Sequence, residues 1–525
     1  MAFITATIGT NSPVDLFSPF NVSSVDVFTA TESKFRFSVN SGFPDSLTIF
    51  GFGLTYSGAG NGTELASGNI AGIVLDLFPT PLNPNLGDLA ITGTEDLIAG
   101  NIRKNDARAF WNEVLKGNDT FNLFGFGEQD VGRGAITFFG DDLISPNSFG
   151  NSSDTGGNDL MLGADNDITM VGDVRTVEGG AGGDFIIVAN YQGGDDRVLG
   201  AVSDRSAILS GDAYAVRADG VLTGGNDIVD DHNNVSFFSY VSGDAHLLLR
   251  FGSVFGGDDD LTAGGLFGYG AGDVYQIAGN NVFLRGGNDF IGGRQLTFGG
   301  DVYTIDSDAT SIVVNGGADR ITGGNLNDLV GGDVFRRLAG AGGVFPSGTF
   351  TGGIDIINGG AGDDRLFGEL AQGSLAGFTG GNDRLTGGLG NDLLFGQTGD
   401  DALAGNEDND ALNGGPGADV LNGGTGNDIL VGSTDNDRLA GAAGLDRFVF
   451  APGSDVDVIL DFEDANLAGD DIIDVTGYNF ASAAAIGKTA SGNNLILNFG
   501  GGNTVTINGY LATHAIADIN DDFVI

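Results

Sequence analysis

The sequence predicts an all-β protein in which a β-rich N-terminal domain is followed by a parallel β-helix and then by a narrower β-roll. Glycine accounts for 94 of the 525 residues, far above the roughly 7% of average usage. Glycine-rich motifs recur about every thirty residues in the middle of the chain and about every nine residues in its last third, which indicates stacked structural repeats. The predicted divisions are the β-rich domain (1–124), the β-helix (125–351), the β-roll (352–449) and a C-terminal cap (450–525).

The charge of the chain restricts its partners. There are 70 acidic and 22 basic residues, and the formal net charge is −48. Nucleic acid and anionic membranes would repel such a chain, and no apolar run approaches the ~18 residues of a membrane-spanning helix. We therefore expect neither nucleic-acid binding nor membrane insertion, and cations are the natural partners. An apolar fraction of 41% with 38 phenylalanines can nevertheless supply a core.

Two further features bear on the cellular compartment. Cysteine is absent, which excludes disulfides and thiolate metal sites. The N-terminal stretch MAFITATIGTNSPVDLF lacks the basic start and continuous apolar stretch of a secretory signal peptide. Read alone, these features favour a soluble cytoplasmic protein, but the C-terminal half of the chain reverses that expectation.

A nine-residue repeat dominates the last third of the chain. In GGPGADVLNGGTGNDILVG (414–432), Asp419 and Asp428 each stand two places before a leucine, Leu421 and Leu430. Steps of nine give eight consecutive aspartates: Asp383, Asp392, Asp401, Asp410, Asp419, Asp428, Asp437 and Asp446. The position two further on is Leu385, Leu394, Leu403, Leu412, Leu421, Leu430, Leu439 or Phe448. A linker with solvated charges would not keep leucine in register, so we interpret the repeat as a folded one.

The pattern continues upstream with an irregularity. Asp355 and Asp364 are nine residues apart, but 19 residues separate Asp364 from Asp383. Because 19 is two units plus one residue, we expect a distorted turn around GELAQGSLAG (368–377).

The period predicts a shape and a ligand. Glycine-rich turns alternating with short strands return the chain to its start after two units, with the leucines inside. Aspartates 18 residues apart then stack on one edge (Asp383, Asp401, Asp419, Asp437) or the other (Asp392, Asp410, Asp428, Asp446). Carboxylates stacked at about 4.8 Å repel one another unless a cation lies between successive turns.

We expect that cation to be calcium. Every available ligand is an oxygen, and flexible loops that offer six or more oxygens suit calcium better than magnesium. The predicted metal ligands are Asp355, Asp364, Asp383, Asp392, Asp401, Asp410, Asp419, Asp428, Asp437 and Asp446.

These units resemble a known family. GGLGNDLLF (387–395), GGPGADVLN (414–422) and GGTGNDILV (423–431) resemble the hemolysin-type, or RTX, calcium-binding nonapeptide GGxGxDxUx, over about residues 352–449. The resemblance implies a parallel β-roll with multiple calcium ions between its turns, export of the unfolded chain by type I secretion machinery, and folding in external calcium. The units GQTGDD, GNEDND and GSTDND lose the second glycine, and Asp408 and Asp435 replace the fourth-position glycine. We expect these departures to alter individual sites without breaking the roll.

The C-terminal segment extends the resemblance. Residues 445–475 are similar to the capping segment that follows such rolls. The end of the chain, Asp521-Asp522-Phe523-Val524-Ile525, is similar to a C-terminal type I export signal, although it also fits an ordinary final strand. The resemblance thus implies a secreted, extracellular protein.

The middle of the chain carries a longer repeat with two alternating motifs. A GGND-like motif recurs at Asp196, Asp227, Asp259, Asp289, Asp319 and Asp355. A second motif, Gly-Asp followed mostly by valine or alanine, recurs at Asp141, Asp173, Asp212, Asp244, Asp273, Asp301 and Asp333. We expect each unit of about thirty residues to carry two strand pairs around glycine turns. The nonapeptide rule is not met there, so the sequence leaves calcium binding by these turns undecided.

Residues 1–124 carry no repeat. Alternating segments such as SKFRFSVNSG and LTIFGFGLTYSG predict strands. One helix is expected over 107–116, with Asn105 or Asp106 as its N-cap, Gly117 as its stop and Trp111 in the core.

The sequence favours a structural protein over an enzyme. It contains no HExxH zinc motif and no GxSxG nucleophile elbow. We interpret His232 and His246 as surface or strand residues. We expect a calcium-dependent structural protein of the cell surface (a surface layer, sheath or matrix subunit) that associates with itself into a lattice or filament. An RTX adhesin that binds cell-surface polysaccharide, or a polysaccharide-acting enzyme, is the alternative.

Overall fold

A computed structural model describes residues 194–525 except 199–208, 214–215, 217–220, 231–239, 250–251, 264–267, 279–280, 307–310, 340–346, 465–469, 517 and 521. Outside these it describes only the backbone of the strands. The chain divides into two compact units, Met1–Gly287 with Asp308–Ser311 and Asn288–Ser307 with Ile312–Ile525. The helix expected over 107–116, Trp111, His232, Asp141 and Asp173 lie outside the described residues.

The described regular structure confirms the all-β prediction. Apart from strands it contains only 3-10 helices: Thr476–Tyr478, Ala483–Ala485, Tyr510–Ala512 and Asp518–Asn520.

The first unit begins with antiparallel strands. Thr5–Ala6 pairs with Val14–Asp15, and Gly180–Gly182 pairs with Phe185–Ile187. A meander connects six further strands, each antiparallel to the next: Val25–Thr31, Lys34–Val39, Ser46–Ser57, Glu64–Asp76, Leu89–Thr92 and Thr120–Asn122.

Parallel ladders follow, and each coil of the chain contributes one strand to each of four faces. The first face comprises Ser153–Thr155, Asn190–Gln192, Val221–Thr223, Ser253–Phe255 and Phe283–Arg285. The second comprises Thr120–Asn122, Leu160–Leu162, Arg197–Leu199, Ile228–Asp230 and Asp260–Ala263. The third comprises Ile136–Phe139, Ile168–Val171, Ser206–Ser210, Phe238–Ser242 and Gly268–Ala271. The fourth comprises Val174–Glu178, Ala213–Arg217, Ala245–Leu248 and Val274–Ile277.

The second unit contains the same four-strand coil and then a simpler one. Its first face comprises Thr310–Asn315, Ser347–Thr351 and Phe378–Thr379. Its second comprises Phe290–Gly293, Arg320–Thr322, Ile356–Ala361, Arg384–Leu389, Ala402–Glu407, Val420–Thr425, Arg438–Ala443 and Val456–Ile459. Its third comprises Leu296–Gly299, Leu329–Gly331, Arg365–Phe367, Leu393–Phe395, Ala411–Pro416, Ile429–Thr434, Arg447–Val449, Ile472–Asp474 and Phe523–Val524. Its fourth comprises Val302–Ile305, Val334–Arg337 and Leu370–Gln372.

The coil therefore narrows from four strands to two. The first and fourth faces of this unit end at Phe378–Thr379 and Leu370–Gln372, while the second and third faces continue into the nonapeptide repeats. The distorted turn expected around 368–377 is wrong. The 19-residue interval between Asp364 and Asp383 instead contains the last two strands of the four-strand coil, Leu370–Gln372 and Phe378–Thr379. With three and two residues, these strands are too short to show a clear strand pattern.

The core of the nonapeptide region is the predicted leucine column. Each of the eight residues from Leu385 to Phe448 is at most 2% exposed. Strand pairing sets Leu403 beside Leu421 and Leu421 beside Leu439. Burial of each such side chain contributes about 1.5–3 kcal/mol, so the register of the repeat is fixed by its apolar residues.

The departures from the glycine pattern leave the roll unbroken, as expected. In complete units the glycines at the second and fourth positions have positive φ, for example 112° at Gly424 and 138° at Gly426. The replacements Asn406 and Asp408 adopt φ of 83° and 73°, and Ser433 adopts 88°. Asparagine and aspartate are the non-glycine residues that most often tolerate this region, so the turn geometry survives the substitution.

The segment after the roll forms a small antiparallel sheet. Gly487–Ser491, Asn494–Gly500 and Asn503–Ile507 pair in sequence, and the last of these strands lies parallel to Val456–Ile459. Near the C-terminus, Phe523–Val524 pairs in parallel with Ile472–Asp474. The final apolar residues are thus the last strand of the third face.

The leucine column provides a direct test of the packing. Leu421→Ala should lower the free energy of unfolding of the calcium-loaded protein by about 2–5 kcal/mol, because Leu421 is fully buried. Its neighbour Val420 is 44% exposed, so Val420→Ala should change the stability by no more than about 0.5 kcal/mol. Denaturant unfolding measures both, and equal losses in the two variants would contradict the packing.

Candidate metal centre

The ten predicted ligands lie in two stacked columns at the two edges of the roll. All ten aspartates, from Asp355 to Asp446, are at most 2% exposed. One edge comprises Asp355, Asp383, Asp401, Asp419 and Asp437. The other comprises Asp364, Asp392, Asp410, Asp428 and Asp446. We call them the first and second edge columns. The structure therefore brings the predicted residues together. The aspartates from Asp383 to Asp446 stack with the predicted 18-residue spacing, whereas Asp355 and Asp364 join their columns through steps of 28 residues.

A hydrogen bond between successive turns holds each carboxylate in place. The Asp401 N–H donates to Asp419 Oδ1 at 2.8 Å, and the Asp419 N–H donates to Asp437 Oδ1 at 2.9 Å. The carbonyl oxygen of Asp401 in turn accepts from the Val420 N–H at 2.8 Å. Each aspartate is consequently fixed through its main chain and one side-chain oxygen.

The second carboxylate oxygen, Oδ2, accepts no hydrogen bond from the described residues. In all ten aspartates Oδ2 is buried and has no hydrogen-bond partner among the described residues. In most units it is directed at the glycine that opens the same unit: an ideal Cβ on Gly414 would lie 2.0 Å from Asp419 Oδ2. Oδ2 of Asp355 and of Asp383 is instead directed at a glycine of the preceding coil, Gly332 or Gly368. Glycine is required there because any side chain would displace the oxygen. A buried carboxylate oxygen without a partner is costly, and a cation is the ligand that satisfies it.

Burial and stacking raise the pKa values of the column aspartates. Burial, reinforced by the charges of Asp401 and Asp437, raises the pKa of Asp419 to about 8. Burial and the neighbouring carboxylates Asp392 and Asp428 raise that of Asp410 to about 7. In the absence of a cation Asp410 and Asp419 therefore keep protons to about neutral pH, so protons and metal compete for the same oxygens.

Asp289 and Asp319, which belong to the GGND-like motif, continue the first edge column upstream of Asp355. Three residues outside both repeat motifs also extend the columns. The Asp328 N–H donates to Asp364 Oδ1 at 2.7 Å, the Asp437 N–H to Asp457 Oδ1 at 3.0 Å, and the Asp446 N–H to Asp471 Oδ1 at 2.9 Å. Their distances along the chain from the preceding or following column member are 36, 20 and 25 residues. Asp457 and Asp471 lie off the steps of nine, and Asp328 lies four steps before Asp364 but is separated from Asp355 by steps that carry Pro346 and Arg337. The signal that finds them is the triplet of aspartate, any residue and a buried apolar residue, here Val330, Ile459 and Ile473.

A separate acidic cluster lies after the roll. Carboxylate oxygens of Asp464, Asp470 and Asp522 lie within 4.8 Å of one another, and the Tyr510 hydroxyl donates to Asp464. Asp522 is distant in sequence from Asp464 and Asp470, and none of the three follows a repeat, so no sequence pattern indicates the cluster.

Of the two histidines considered for catalysis, His246 lies in the described residues. It is part of the strand Ala245–Leu248 and is 8% exposed. Its ring stacks on that of Tyr275 with 4.6 Å between centroids, and burial lowers its pKa to about 4. It therefore packs as a neutral strand residue.

A comparison with protein families identifies the repeat. A model of the RTX calcium-binding nonapeptide repeat, four copies long, matches residues 351–371, 379–412 and 413–448. These stretches of the chain therefore carry the RTX calcium-binding nonapeptide repeat. The RTX nonapeptide is a calcium-binding motif, so the ligand expected from the oxygen-only donor set is confirmed as calcium, and multiple ions fit the repeat.

A search of curated proteins found no relative with significant similarity. Within the described residues no helix is long and apolar enough to cross a membrane. RTX repeats typically occur in secreted proteins, and such a repeat fits an extracellular calcium-binding protein of a structural or adhesin-like kind.

The ligand assignment is tested by removing one charge. Asp419→Asn should weaken calcium binding to the protein and lower the number of ions bound, because the amide can still accept the Asp401 N–H but supplies no charge. Glu407→Gln is the control, since Glu407 is an exposed carboxylate in the same repeat. Isothermal titration calorimetry compares the two, and identical calcium stoichiometry and affinity would show that Asp419 is not a ligand.

The raised pKa values predict opposite pH dependences with and without calcium. In chelator, the folded roll keeps its carboxyls protonated to higher pH than the unfolded chain, so its stability should fall as pH rises from about 4 to about 8. Calcium affinity should rise over about pH 6–8, with protons released on binding. Thermal unfolding in chelator and calorimetry in buffers of different ionisation enthalpy measure the two effects. A calcium affinity independent of pH, without proton release, would contradict the proton–metal competition.

Proposed function

We propose that this protein is an exported structural protein that assembles into a lattice or filament on the cell surface when it binds calcium. The proposal rests on one observation, a regular outward-facing row on the second face of the second unit. Strand pairing places seven exposed residues in register along this row: Phe290, Arg320, Ile356, Arg384, Ala402, Val420 and Arg438.

The row combines exposed apolar side chains with positively charged ones. Phe290, Ile356 and Val420 are 46%, 44% and 44% exposed, and exposed arginines alternate with them. Arginine and large apolar side chains are typical of association surfaces. On a chain with a net charge of −48, a row of positive charge is complementary to the acidic surface of another copy.

Calcium would couple folding to assembly. The net negative charge opposes close packing of identical copies, and bound calcium removes part of that charge. Calcium also orders the turns that present the row, so less conformational entropy is lost on association. A row that repeats along the face can contact a different patch on the next copy, and such heterologous contacts generate open sheets or filaments.

The proposal includes export by type I secretion machinery. An unfolded acidic chain is expected wherever calcium is scarce, and folding would follow in external calcium. The C-terminal strand Phe523–Val524 would then serve first in export and afterwards as the last strand of the third face. Cell-surface polysaccharide is the partner that would anchor such an assembly.

Assembly is expected at about millimolar calcium, the range of extracellular calcium modules. Negative-stain electron microscopy of the purified protein should show ordered arrays, and chelator should dissolve them. Val420→Gln should weaken assembly without changing calcium binding, whereas Thr489→Gln, at an exposed position on another strand, should not. A protein that folds in calcium yet stays monomeric at high concentration would exclude the lattice and favour the adhesin or the enzyme.

A further inference from the structure

A third column of buried acidic residues lies on the fourth face of the second unit. Asp301, Asp333 and Glu369 each follow a glycine and immediately precede a strand of that face. Parallel pairing of Val302 with Val334 and of Val334 with Leu370 stacks the three residues one coil apart. Each is at most 1% exposed. We call this set the fourth-face column.

Hydrogen bonds join the fourth-face column to the glycine turns that precede Asp319 and Asp355. Asp355 and Asp319 lie in line with the first edge column, and we call them the facing column here. The Gly317 N–H donates to Asp301 Oδ1 at 2.8 Å, and the Gly353 N–H donates to Asp333 Oδ1 at 2.8 Å. Gly317 and Gly353 each stand two residues before an aspartate of the facing column, Asp319 or Asp355. Carboxylates of the two columns therefore alternate across one narrow space.

The unused oxygens of both columns are directed into that space. An ideal Cβ on Gly332 would lie 2.2 Å from Asp355 Oδ2, and one on Gly352 would lie 2.5 Å from Asp333 Oδ2. Among the described residues, Oδ2 of Asp333 and of Asp355 has no hydrogen-bond partner, and neither carboxylate forms an ion pair. Two buried carboxylates of like charge thus face each other between glycines. Among the described residues no basic side chain neutralises their charge, and both Oδ2 atoms lack a hydrogen-bond donor.

We propose that the fourth-face column and the facing aspartates Asp319, Asp355 and Asp383 bind a second series of calcium ions, in addition to the ions between the turns of the nonapeptide repeat. Asp355 and Asp383 belong to both sets of sites. The donors are all oxygens and come from several turns, which suits calcium. Glu369 ends the series: its longer side chain reaches the next turn, where Thr398 Oγ1 donates to Glu369 Oε1 at 3.1 Å. Beyond that point the coil has no fourth face and the nonapeptide sites continue alone.

The first unit repeats the arrangement independently. The Gly225 N–H donates to Asp212 Oδ2 at 2.9 Å, and the Gly257 N–H donates to Asp244 Oδ1 at 3.2 Å. Carboxylate oxygens of Asp196, Asp212 and Asp227 lie within 4.8 Å of one another, and all three residues are buried. The same pair of motifs therefore builds the same paired carboxylates in each unit.

The number of calcium ions bound by the full-length protein tests the proposal. Equilibrium dialysis with radioactive calcium at about pH 7.5 should show about one ion fewer per chain for Asp333→Asn than for the unmodified protein. Glu407→Gln, which removes an exposed carboxylate, should bind as many ions as the unmodified protein. An unchanged number and affinity in Asp333→Asn would overturn the proposal and would indicate that the paired carboxyls share protons instead.

A second measurement decides the matter if Asp333→Asn does not fold. Hydrogen exchange of the unmodified protein should show that amides in 311–339, outside the nonapeptide repeat, gain protection when calcium is added. Equal protection of this segment in calcium and in chelator would overturn the proposal. Both readouts concern binding and local order, so a failure of surface assembly would leave them unaffected.

Discussion

The structure depends on the hydrogen bond from the N–H of one aspartate to Oδ1 of the aspartate one turn later. It fixes the turn spacing, since the Asp401 N–H reaches Asp419 Oδ1 at 2.8 Å and the same contact recurs along both edge columns. It also buries Oδ2 without a partner. One contact thereby reinforces the register that the buried leucines fix and creates the requirement of the repeat for a cation.

The glycine content follows from the same contact. Oδ2 of Asp419 occupies the space in which a Cβ on Gly414 would lie. Glycines such as Gly424 and Gly426 have positive φ, which lets the chain reverse between strands only a few residues long. The aspartate columns therefore explain why a protein with a substantial apolar fraction is also so rich in glycine.

The regular part of the fold could be predicted from the sequence because every nonapeptide repeats the same spacing between aspartate and a large apolar residue. The spacing of Asp419 and Leu421 indicates which residue faces the edge and which the core, and the structure places both accordingly. Asp328, Asp457 and Asp471 were missed because insertions change the chain length between turns while the coil geometry stays the same. Glu369 was missed because it replaces aspartate in a segment that reads as a broken repeat. The pairing of Asp333 with Asp355 depends on four-strand coils whose strands are too short to align by pattern alone.

We expect calcium to neutralise the charge of the stacked carboxylates and so to allow the roll to fold. Hydrogen exchange of the full-length protein at about pH 7.5 tests it most directly at the amides of Asp401, Asp410, Asp419 and Asp428, which donate between turns. These amides should exchange rapidly in chelator and become protected as calcium approaches about 10⁻⁴–10⁻³ M. Full protection of the same amides in chelator would contradict the account.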